Sequence, residues 1–386
     1  MSVQVALPRF ARIGAGAVNE IGTVVAQLSL QRPVVITDKY LTSTGAAERV
    51  MNLLRAAGVT PALFDGTVPD PTTECLEDGL RVLADHRADS VIGFGGGSPI
   101  DTAKALAVLS ARGGTMREYK APNAYSGPSL PIIAIPTTAG SGSEATQFTV
   151  ITDSASDEKM LCPGLSFLPI ATIVDFELTV SMPPRLTADT GIDALTHAIE
   201  AYVSRKAHPF SDGLAIAAIR TIGKNIRTAY QDGANTTARE AMMIASTQAG
   251  MAFSNSSVAL VHGMSRPIGA HFHVAHGLSN AMLLPAVTTF SISGAESRYA
   301  DCARAFGVAA ESANDSVAAW FFVDALTELC QDLKVPTPLA YGIDRDRWNE
   351  LIPLMAHQAL ESGSPGNNPV VPTADQIETL YSDVFE

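Results

Sequence analysis

Short apolar, β-branched runs alternate with helix-patterned stretches over the first half of the chain. The strand-like runs lie at about 34–38, 62–64, 90–94, 130–136 and 170–175. Apolar residues recur with helical spacing at about 46–57, 72–86 and 99–111. Strands separated by helices of about 10–15 residues are typical of βαβ units, so this half predicts a mostly parallel sheet.

The pattern changes after the tripeptide Met182-Pro183-Pro184. Beyond it strand-like runs become rare, and Ala-rich stretches with helical spacing take over. These stretches lie at about 187–204, 211–230, 237–253, 297–306, 315–333 and 347–361. Because proline interrupts both helices and strand pairing, the Pro-Pro pair marks a domain boundary. We therefore predict an α/β domain over residues 1–182 and an all-α domain over residues 183–386.

Composition narrows the class of protein. The 386 residues exceed what one hydrophobic core usually carries, and 46% hydrophobic with 17% charged residues is typical of a globular chain. A net charge of −13 argues against a nucleic-acid partner, because an acidic surface repels phosphate. The four cysteines form no CxxC pair, which fits a reducing cytoplasm. We expect neither a secretory signal nor a membrane span, since no suitable apolar run occurs.

Two glycine-rich turns follow predicted strands in the first half. FGGGSPIDTAK (94–104) opens a helix, and its glycines let a ligand approach the backbone closely. The unpaired N–H groups and dipole of that helix start suit a pyrophosphate, although a tight turn that binds nothing explains the segment equally well. IPTTAGSGSEAT (135–146) adds small and hydroxyl residues at the same sheet edge, where parallel sheets bind ligands.

Asp38 ends the first predicted strand at this edge. Its carboxylate could accept a hydrogen bond from an adenosine ribose and would repel a 2′-phosphate, which favours NAD over NADP. The alternative is an aspartate that caps a helix or a turn.

One aspartate and three histidines form a candidate set of metal ligands. Asp193 and His197 lie four residues apart and therefore stack on one face of a predicted helix. His262 and His276 are each followed by glycine. One carboxylate with three imidazoles suits Fe²⁺ or Zn²⁺ in a Lewis-acid role. Any of these histidines alone is more simply explained as an ordinary polar residue, so the inference depends on the four together.

Four long motifs resemble the iron-containing (group III) alcohol dehydrogenases. They are GGGSPIDTAK, PTTAGSGSEAT, GIDALTHAIEAY and VHGMSRPIGAHFHVAHGLSNAMLLP, and the similarity runs over nearly the whole chain. The resemblance implies the dehydroquinate-synthase-like fold, with an N-terminal NAD-binding domain, a C-terminal helical metal-binding domain and the active site in the cleft. It also implies a homodimer.

The resemblance further implies residue roles. The metal ligands would be Asp193, His197, His262 and His276. The cofactor contacts would be Asp38, Gly96, Gly97, Ser98, Asp101, Thr137, Thr138, Ser141, Lys159 and Leu178. The catalytic candidates are Arg266, His273 and Lys159.

Two positions depart from the family's common pattern. Arg266 stands where the second histidine of HGxxH is usual, and arginine stays protonated, so it cannot act as a base. His271, His273, a ribose hydroxyl or water could take over that proton relay, while Arg266 could clamp an anionic substrate or pair with a carboxylate. Ala275 stands where proline is more common.

These observations predict an NAD(H)-dependent alcohol dehydrogenase that uses Fe²⁺, with Zn²⁺ as the alternative ion, on a small primary alcohol or aldehyde. An alternative is a dehydrogenase of hydroxyacids or semialdehydes, of the 4-hydroxybutyrate type, in which Arg266 binds the substrate anion. The implied fold is also compatible with a glycerol-dehydrogenase-like zinc enzyme, a dehydroquinate-synthase-like lyase, or a non-catalytic metal- or nucleotide-binding relative. We expect a cytoplasmic homodimer.

Overall fold

A computed structural model describes residues 2–156 and 158–386 of the chain. The chain divides into two compact units, Met1–Val180 and Ser181–Glu386. Among the described residues, all strands lie in the first unit and the second contains only helices and connecting segments. The predicted fold class, an α/β N-terminal part followed by an all-α C-terminal part, is confirmed.

Six parallel strands form the main sheet of the first unit. They are β1 (Phe10–Ile13), β2 (Pro33–Asp38), β3 (Ala62–Thr67), β4 (Ser90–Gly95), β5 (Ile132–Pro136) and β8 (Ala171–Val174). Their order in the sheet is β1-β8-β5-β4-β2-β3, so β4 lies between β5 and β2. The register pairs Ile92 with both Val35 and Ile133. The inner strands β2, β4, β5 and β8 are buried along nearly all of their length because both faces of a parallel sheet are covered.

Five helices cover the two faces of that sheet. They are α1 (Ile21–Gln27), α2 (Lys39–Ser43), α3 (Ala46–Ala56), α4 (Thr73–His86) and α5 (Gly97–Arg112). Successive strand residues point to opposite faces, so Val35 and Ile92 join a core with α1 and α3. Their neighbours Val34 and Val91 join a second core with α4 and α5.

The sequence pattern did not predict two strand features. β1 is a four-residue edge strand whose burial alternates, which leaves too short a signal for a pattern. The antiparallel pair β6 (Phe148–Asp153) and β7 (Glu158–Pro163) forms a separate two-stranded sheet. Its strands carry several polar residues, so they lack the continuous apolar run that marks the main sheet.

The second unit consists of ten helices in the described part of the chain. They are α6 (Pro184–Val203), α7 (Pro209–Gln231), α8 (Thr236–Asn255), α9 (Leu260–Phe272), α10 (His276–Ser291), α11 (Glu296–Phe306), α12 (Asp315–Asp332), α13 (Pro338–Tyr341), α14 (Arg345–Glu361) and α15 (Ala374–Asp383). All six predicted Ala-rich helices are present. No helix of the described residues is both long and apolar enough to cross a membrane.

Helices α9 and α10 were not predicted. Each contains a proline, Pro267 in α9 and Pro285 in α10, and proline usually interrupts a helix. Helix α10 is also apolar on nearly every side, so it shows no amphipathic stripe. Tertiary packing therefore specifies both helices more than their local sequence does.

Candidate active site

Four side chains of the second unit converge on one point. Asp193 and His197 lie one turn apart on α6, His262 lies in the first turn of α9, and His276 is the first residue of α10. One nitrogen or oxygen atom from each lies within 4.8 Å of the others. Asp193 Oδ1 is 3.6 Å from His262 Nε2, 3.8 Å from His276 Nε2 and 3.9 Å from His197 Nδ1. The predicted set is thus brought together.

The glycine that follows each of the later two histidines allows close helix packing. A Cβ on Gly277 would lie 2.3 Å from the backbone oxygen of Asp189 in α6. A Cβ on Gly263 would lie 2.7 Å from Pro365 Cγ. Since real Cβ atoms do not approach so closely, both glycines are required for α9 and α10 to reach their positions.

The neighbouring imidazoles keep Asp193 ionised in spite of its burial. Burial alone would raise the pKa of its carboxyl, but the imidazoles of His197, His276 and His262 hold that pKa well below its usual range. Burial alone would lower the pKa of His262. The carboxylates of Glu200 and Asp193 outweigh the effect of burial, and the pKa of His262 is therefore raised. The cluster therefore combines one anionic oxygen with nitrogen donors in a buried place.

Asn280 shows that the donor atoms share one centre. It lies one turn after His276 on α10, and its amide nitrogen is 2.7 Å from Asp193 Oδ1. The same nitrogen is 3.2 Å from His262 Nε2 and 3.4 Å from His276 Nε2. The amide oxygen is buried and has no hydrogen-bond partner among the described residues. Asp193 Oδ1, His262 Nε2 and His276 Nε2 therefore all face the position of this amide nitrogen. One oxygen and three nitrogen donors are a ligand set that fits a divalent transition metal.

Glu200 was not identified from the sequence. This buried residue of α6 accepts hydrogen bonds from His262 Nδ1 at 2.6 Å, from Val261 N at 2.6 Å and from Ala259 N at 2.9 Å. A signal for it existed, because Glu200 follows His197 by three residues and Asp193 by seven. That spacing places all three on one face of a helix.

The carboxyl ends of three adjacent strands meet at one edge of the first unit's sheet. Asp38 is the last residue of β2, Gly95 of β4 and Pro136 of β5, and these strands are neighbours in the order β5-β4-β2. Thr137 N donates to Gly95 O at 2.9 Å, which ties the two glycine-rich turns together. Asp38 and the two glycine-rich turns therefore lie at the same edge of the sheet.

The first turn brings backbone N–H groups to this edge. Gly95 has φ of +151°, and a Cβ there would lie 2.5 Å from Pro99 Cγ, so only glycine fits. Gly96 is the N-cap of the 16-residue helix α5. A Cβ on Gly97 would lie 3.3 Å from Ser141 Cβ and Oγ of the second turn. Gly96 and Gly97 thus place no side chain at the helix start, which suits a phosphate site.

Two predicted cofactor contacts have structural partners of their own. Asp38 Oδ1 accepts from Leu41 N at 2.9 Å and caps α2, as the helix-capping alternative for this residue predicts. Asp101 Oδ2 accepts from Val150 N at 2.9 Å and so attaches α5 to β6. Burial raises the pKa of Asp101. Each carboxylate thus has a structural role through one of its oxygens, and both Asp38 and Asp101 stay predicted cofactor contacts.

The remaining first-unit candidates lie on the two turns, on β7 and in a short 3₁₀ turn. Ser98, Thr138 and Ser141 belong to the two turns. Lys159 lies on β7, where its largely buried ammonium pairs with Asp70 at 2.9 Å. Leu178 lies in a 3₁₀ turn, Phe176–Thr179, and packs against the core shared with α1 and α3.

The two catalytic candidates of the second unit differ in environment. Arg266 lies one turn after His262 on α9 and donates to Ser364 Oγ at 2.9 Å. Burial lowers the pKa of Arg266 to about 10, against the opposing charge of Glu200. No carboxylate of the described residues lies within ion-pairing distance of it. His273 is exposed just beyond the end of α9, and His271 bonds to Gln358 Oε1 at 2.8 Å. Neither histidine belongs to the four-residue cluster.

Two sequence profiles match the chain and together cover most of it. Residues 8–176 match the profile of iron-containing alcohol dehydrogenase. Residues 187–385 match the profile of the Fe-containing alcohol dehydrogenase family, C-terminal.

Individual relatives agree with these profiles. The chain is 37% identical to the NAD-dependent methanol dehydrogenase of Bacillus methanolicus over 380 residues, 98% of this chain and 99% of that one. It is 37% identical to the lactaldehyde reductase of Escherichia coli (strain K12) over 384 residues, 99% of each chain. A crystal structure of a 1,3-propanediol oxidoreductase matches with a TM-score of 0.95 and 34% identity, covering 100% of both chains. The resemblance seen in the motifs is confirmed, and the chain belongs to the iron-containing alcohol dehydrogenase family of alcohol and aldehyde oxidoreductases.

Proposed function

We propose that the protein transfers a hydride between NAD(H) and a small primary alcohol or aldehyde, with a divalent metal held by Asp193, His197, His262 and His276. The observation that carries the proposal is the convergence of these four side chains within 4.8 Å. The names of the relatives, which include an NAD-dependent methanol dehydrogenase and a lactaldehyde reductase, support the substrate class and the cofactor.

The four predicted metal ligands of the second unit combine charge with burial of three of the four side chains. Asp193 contributes the anionic oxygen, and the imidazoles contribute nitrogen donors whose rings are held by packing. His197 stacks on Phe253 and on His262, with ring centroids 4.2 Å and 4.4 Å apart. A divalent ion bound there supplies polarisation of the substrate oxygen, which eases formation of the alkoxide or activates the carbonyl. We favour Fe²⁺ from the family and keep Zn²⁺ as the alternative, because this donor set accepts both.

In the first unit, the two turns are proposed to hold the cofactor. The start of α5 would bind the pyrophosphate through backbone N–H groups, and Asp38 would receive the adenosine ribose. Its carboxylate disfavours a 2′-phosphate, so we expect NAD rather than NADP. Gly96, Gly97, Ser98, Thr137, Thr138 and Ser141 would line this edge. Bound nicotinamide supplies the hydride acceptor and donor.

The decisive experiment compares the enzyme before and after removal of metal. Purified protein is stripped with a chelator, reloaded with Fe²⁺ or Zn²⁺, and assayed by NADH absorbance with a panel of small aldehydes and alcohols. We expect turnover to disappear on stripping and to return on reloading. Full activity after complete demetallation would refute the metal-dependent mechanism, and no activity with any loaded form would refute the enzymatic proposal.

Arg266 favours a second candidate function, the dehydrogenation of an anionic substrate such as a hydroxyacid or semialdehyde. Its guanidinium lies one turn from a proposed metal ligand and bonds to a hydroxyl rather than to a carboxylate. A half-buried guanidinium of this kind retains donors for a bidentate bond to a carboxylate group.

The two candidates differ in what the variant Arg266→Gln should do. If Arg266 binds the substrate anion, KM for a semialdehyde should rise by about tenfold or more, as expected for losing about 1.5–3 kcal/mol of a charged hydrogen bond. KM for a neutral aldehyde should stay unchanged. Comparable wild-type rates on neutral and anionic aldehydes, or an equal effect of the variant on both, would remove this candidate.

The assembly and cellular location are also proposals. We infer a homodimer from the resemblance to the family, and light scattering of the purified protein would test it. We infer a cytoplasmic location from the free thiols of all four cysteines. Thr138, Lys159, Leu178 and His273 stay predicted site residues, for which substitution and kinetics are the test.

A further inference from the structure

We propose that Glu200 is a positioning residue of the metal centre, which fixes the tautomer and the orientation of the His262 ring. The inference rests on the proposed function, because it concerns the same ligand set. It adds a residue outside the predicted ligand set, which lies in the motif GIDALTHAIEAY but was not singled out from the sequence.

Glu200 is buried and bonded through both of its carboxylate oxygens. The residue is 3% exposed, so its carboxylate has no access to bulk water. Oε2 accepts from His262 Nδ1 at 2.6 Å and from Ala259 N at 2.9 Å, while Oε1 accepts from Val261 N at 2.6 Å. Both carboxylate oxygens already accept from backbone N–H groups, so the carboxylate also acts as the acceptor toward the ring nitrogen. His262 Nδ1 must therefore carry the ring proton.

The tautomer follows from that hydrogen bond. A neutral imidazole with a proton on Nδ1 has its lone pair on Nε2. His262 Nε2 is the atom that lies 3.6 Å from Asp193 Oδ1, on the side of the other predicted ligands. Glu200 thus selects the tautomer in which the Nε2 atom of His262 carries the lone pair and can bind a metal. A carboxylate in this position also increases the basicity of the imidazole.

The same side chain anchors the helix that carries His262. Ala259 and Val261 lie at the start of α9, where backbone N–H groups have no partner within the helix. Binding two of them to one carboxylate fixes this start relative to α6, on which Asp193 and His197 lie. The two backbone bonds would be enough to cap the helix. The third bond, to the His262 ring, is the one that links Glu200 to metal binding.

The test compares Glu200→Gln with Asp175→Asn. Asp175 is a matched control in the first unit, since its buried carboxylate accepts backbone N–H bonds from Gly16, Val18 and Glu177 and touches no predicted ligand. Affinity for Zn²⁺ and Co²⁺ is measured by chelator competition on stripped proteins. Glu200→Gln should weaken both affinities by about 10–100-fold. Asp175→Asn should leave them unchanged.

A second pair of measurements separates positioning from simple stabilisation. Thermal unfolding of the stripped proteins reports loss of the helix cap, and ¹⁵N-histidine NMR reports the tautomer of His262. We expect the Nδ1–H form in the wild type and its loss in Glu200→Gln, because the amide can present a donor to the ring. A lower melting temperature with unchanged metal affinity and unchanged tautomer would overturn the proposal.

The outcome is distinguishable from failure of the proposed function. If the wild-type protein binds no metal or is fully active without it, the proposed function fails. If the wild type binds metal and depends on it while Glu200→Gln binds equally well, only the role of Glu200 is refuted. Should Glu200→Gln not fold, Glu200→Asp shortens the same carboxylate, and weaker binding by at least about tenfold is expected from it as well.

Discussion

Asn280 lies close to three members of the metal cluster. Its amide donates to Asp193 Oδ1 at 2.7 Å, and the same nitrogen lies near the Nε2 atoms of His262 and His276. The side chain is fully buried. Its neutral amide therefore balances the charge of Asp193 where a second carboxylate could not.

We predict that Asn280→Asp destabilises the metal-free protein. Two carboxylates in contact repel each other, and the charged hydrogen bond to Asp193 is lost, which together should cost at least about 1.5–3 kcal/mol. Added Zn²⁺ should then raise the melting temperature more than it does in the wild type. Thermal unfolding with and without chelator measures both effects. A stripped variant as stable as the stripped wild type would contradict the prediction.

Lys104 illustrates a buried charge with a purely structural role. It is fully buried on α5, and its ammonium donates to Thr146 O, Thr146 Oγ1 and Phe148 O at 2.9, 2.9 and 2.7 Å. These bonds hold the segment leading into β6 against α5. Burial lowers the pKa of Lys104 to about 8, although Asp101 and Glu144 oppose the shift.

The pKa of Lys104 predicts a pH dependence with a definite sign. Its folded pKa of about 8 lies below the ordinary lysine pKa of 10.5. Between these values the unfolded chain holds a proton that folded Lys104 has lost, so the free energy of unfolding should rise with pH across this window. Below about pH 8 this contribution should be flat. Urea unfolding of the wild type minus that of Lys104→Met isolates it, and a difference that falls with pH would contradict the prediction.

Secondary-structure elements show where sequence patterns suffice. The main-sheet strands other than β1 were predicted because each is a continuous apolar run, and the Ala-rich helices because their spacing is regular. Helices α9 and α10 were not, since Pro267, Pro285 and burial on all sides remove the signal. These are the helices that carry His262 and His276. The ligands were therefore identified by residue type and resemblance, while the helices that position them depend on long-range packing.

The two glycine-rich turns give a prediction about cofactor binding. In Gly97→Val, a branched side chain would enter the space now 3.3 Å from Ser141, between the two turns. We expect the Kd for NADH to rise by at least about tenfold, or about 1.4 kcal/mol, without loss of the fold. Fluorescence titration measures it. Gly213→Ala in α7 is the control, because a Cβ there meets nothing within 4 Å. An unchanged Kd in Gly97→Val would exclude this edge as the NADH site.

The predicted cofactor contacts and the predicted metal ligands belong to different units of the chain. Every predicted cofactor contact lies in Met1–Val180, and every predicted metal ligand lies in Ser181–Glu386. Each unit has its own core, so damage to one site need not reach the other.

This separation predicts that metal and cofactor binding can be lost independently. His262→Ala should lose metal and turnover while its Kd for NADH stays within about twofold of the wild type, a difference under about 0.5 kcal/mol. Metal analysis and NADH titration on the same sample measure both properties. His357→Ala, at an exposed position, should retain both. A folded His262→Ala protein that no longer binds NADH would show that the two sites are not independent.

The unequal exposure of the ligand set has a kinetic consequence. The side chain of His276 is 37% exposed, whereas those of Asp193 and His262 are 6% and 3% exposed. A bound ion would therefore be accessible to solvent and to chelators on the side of His276, because the other ligands are sheltered. Exchange rates should then respond to substitutions around His276 far more than to equivalent changes on the sheltered side. The speed with which the enzyme gains or surrenders its ion would be controlled at this one imidazole.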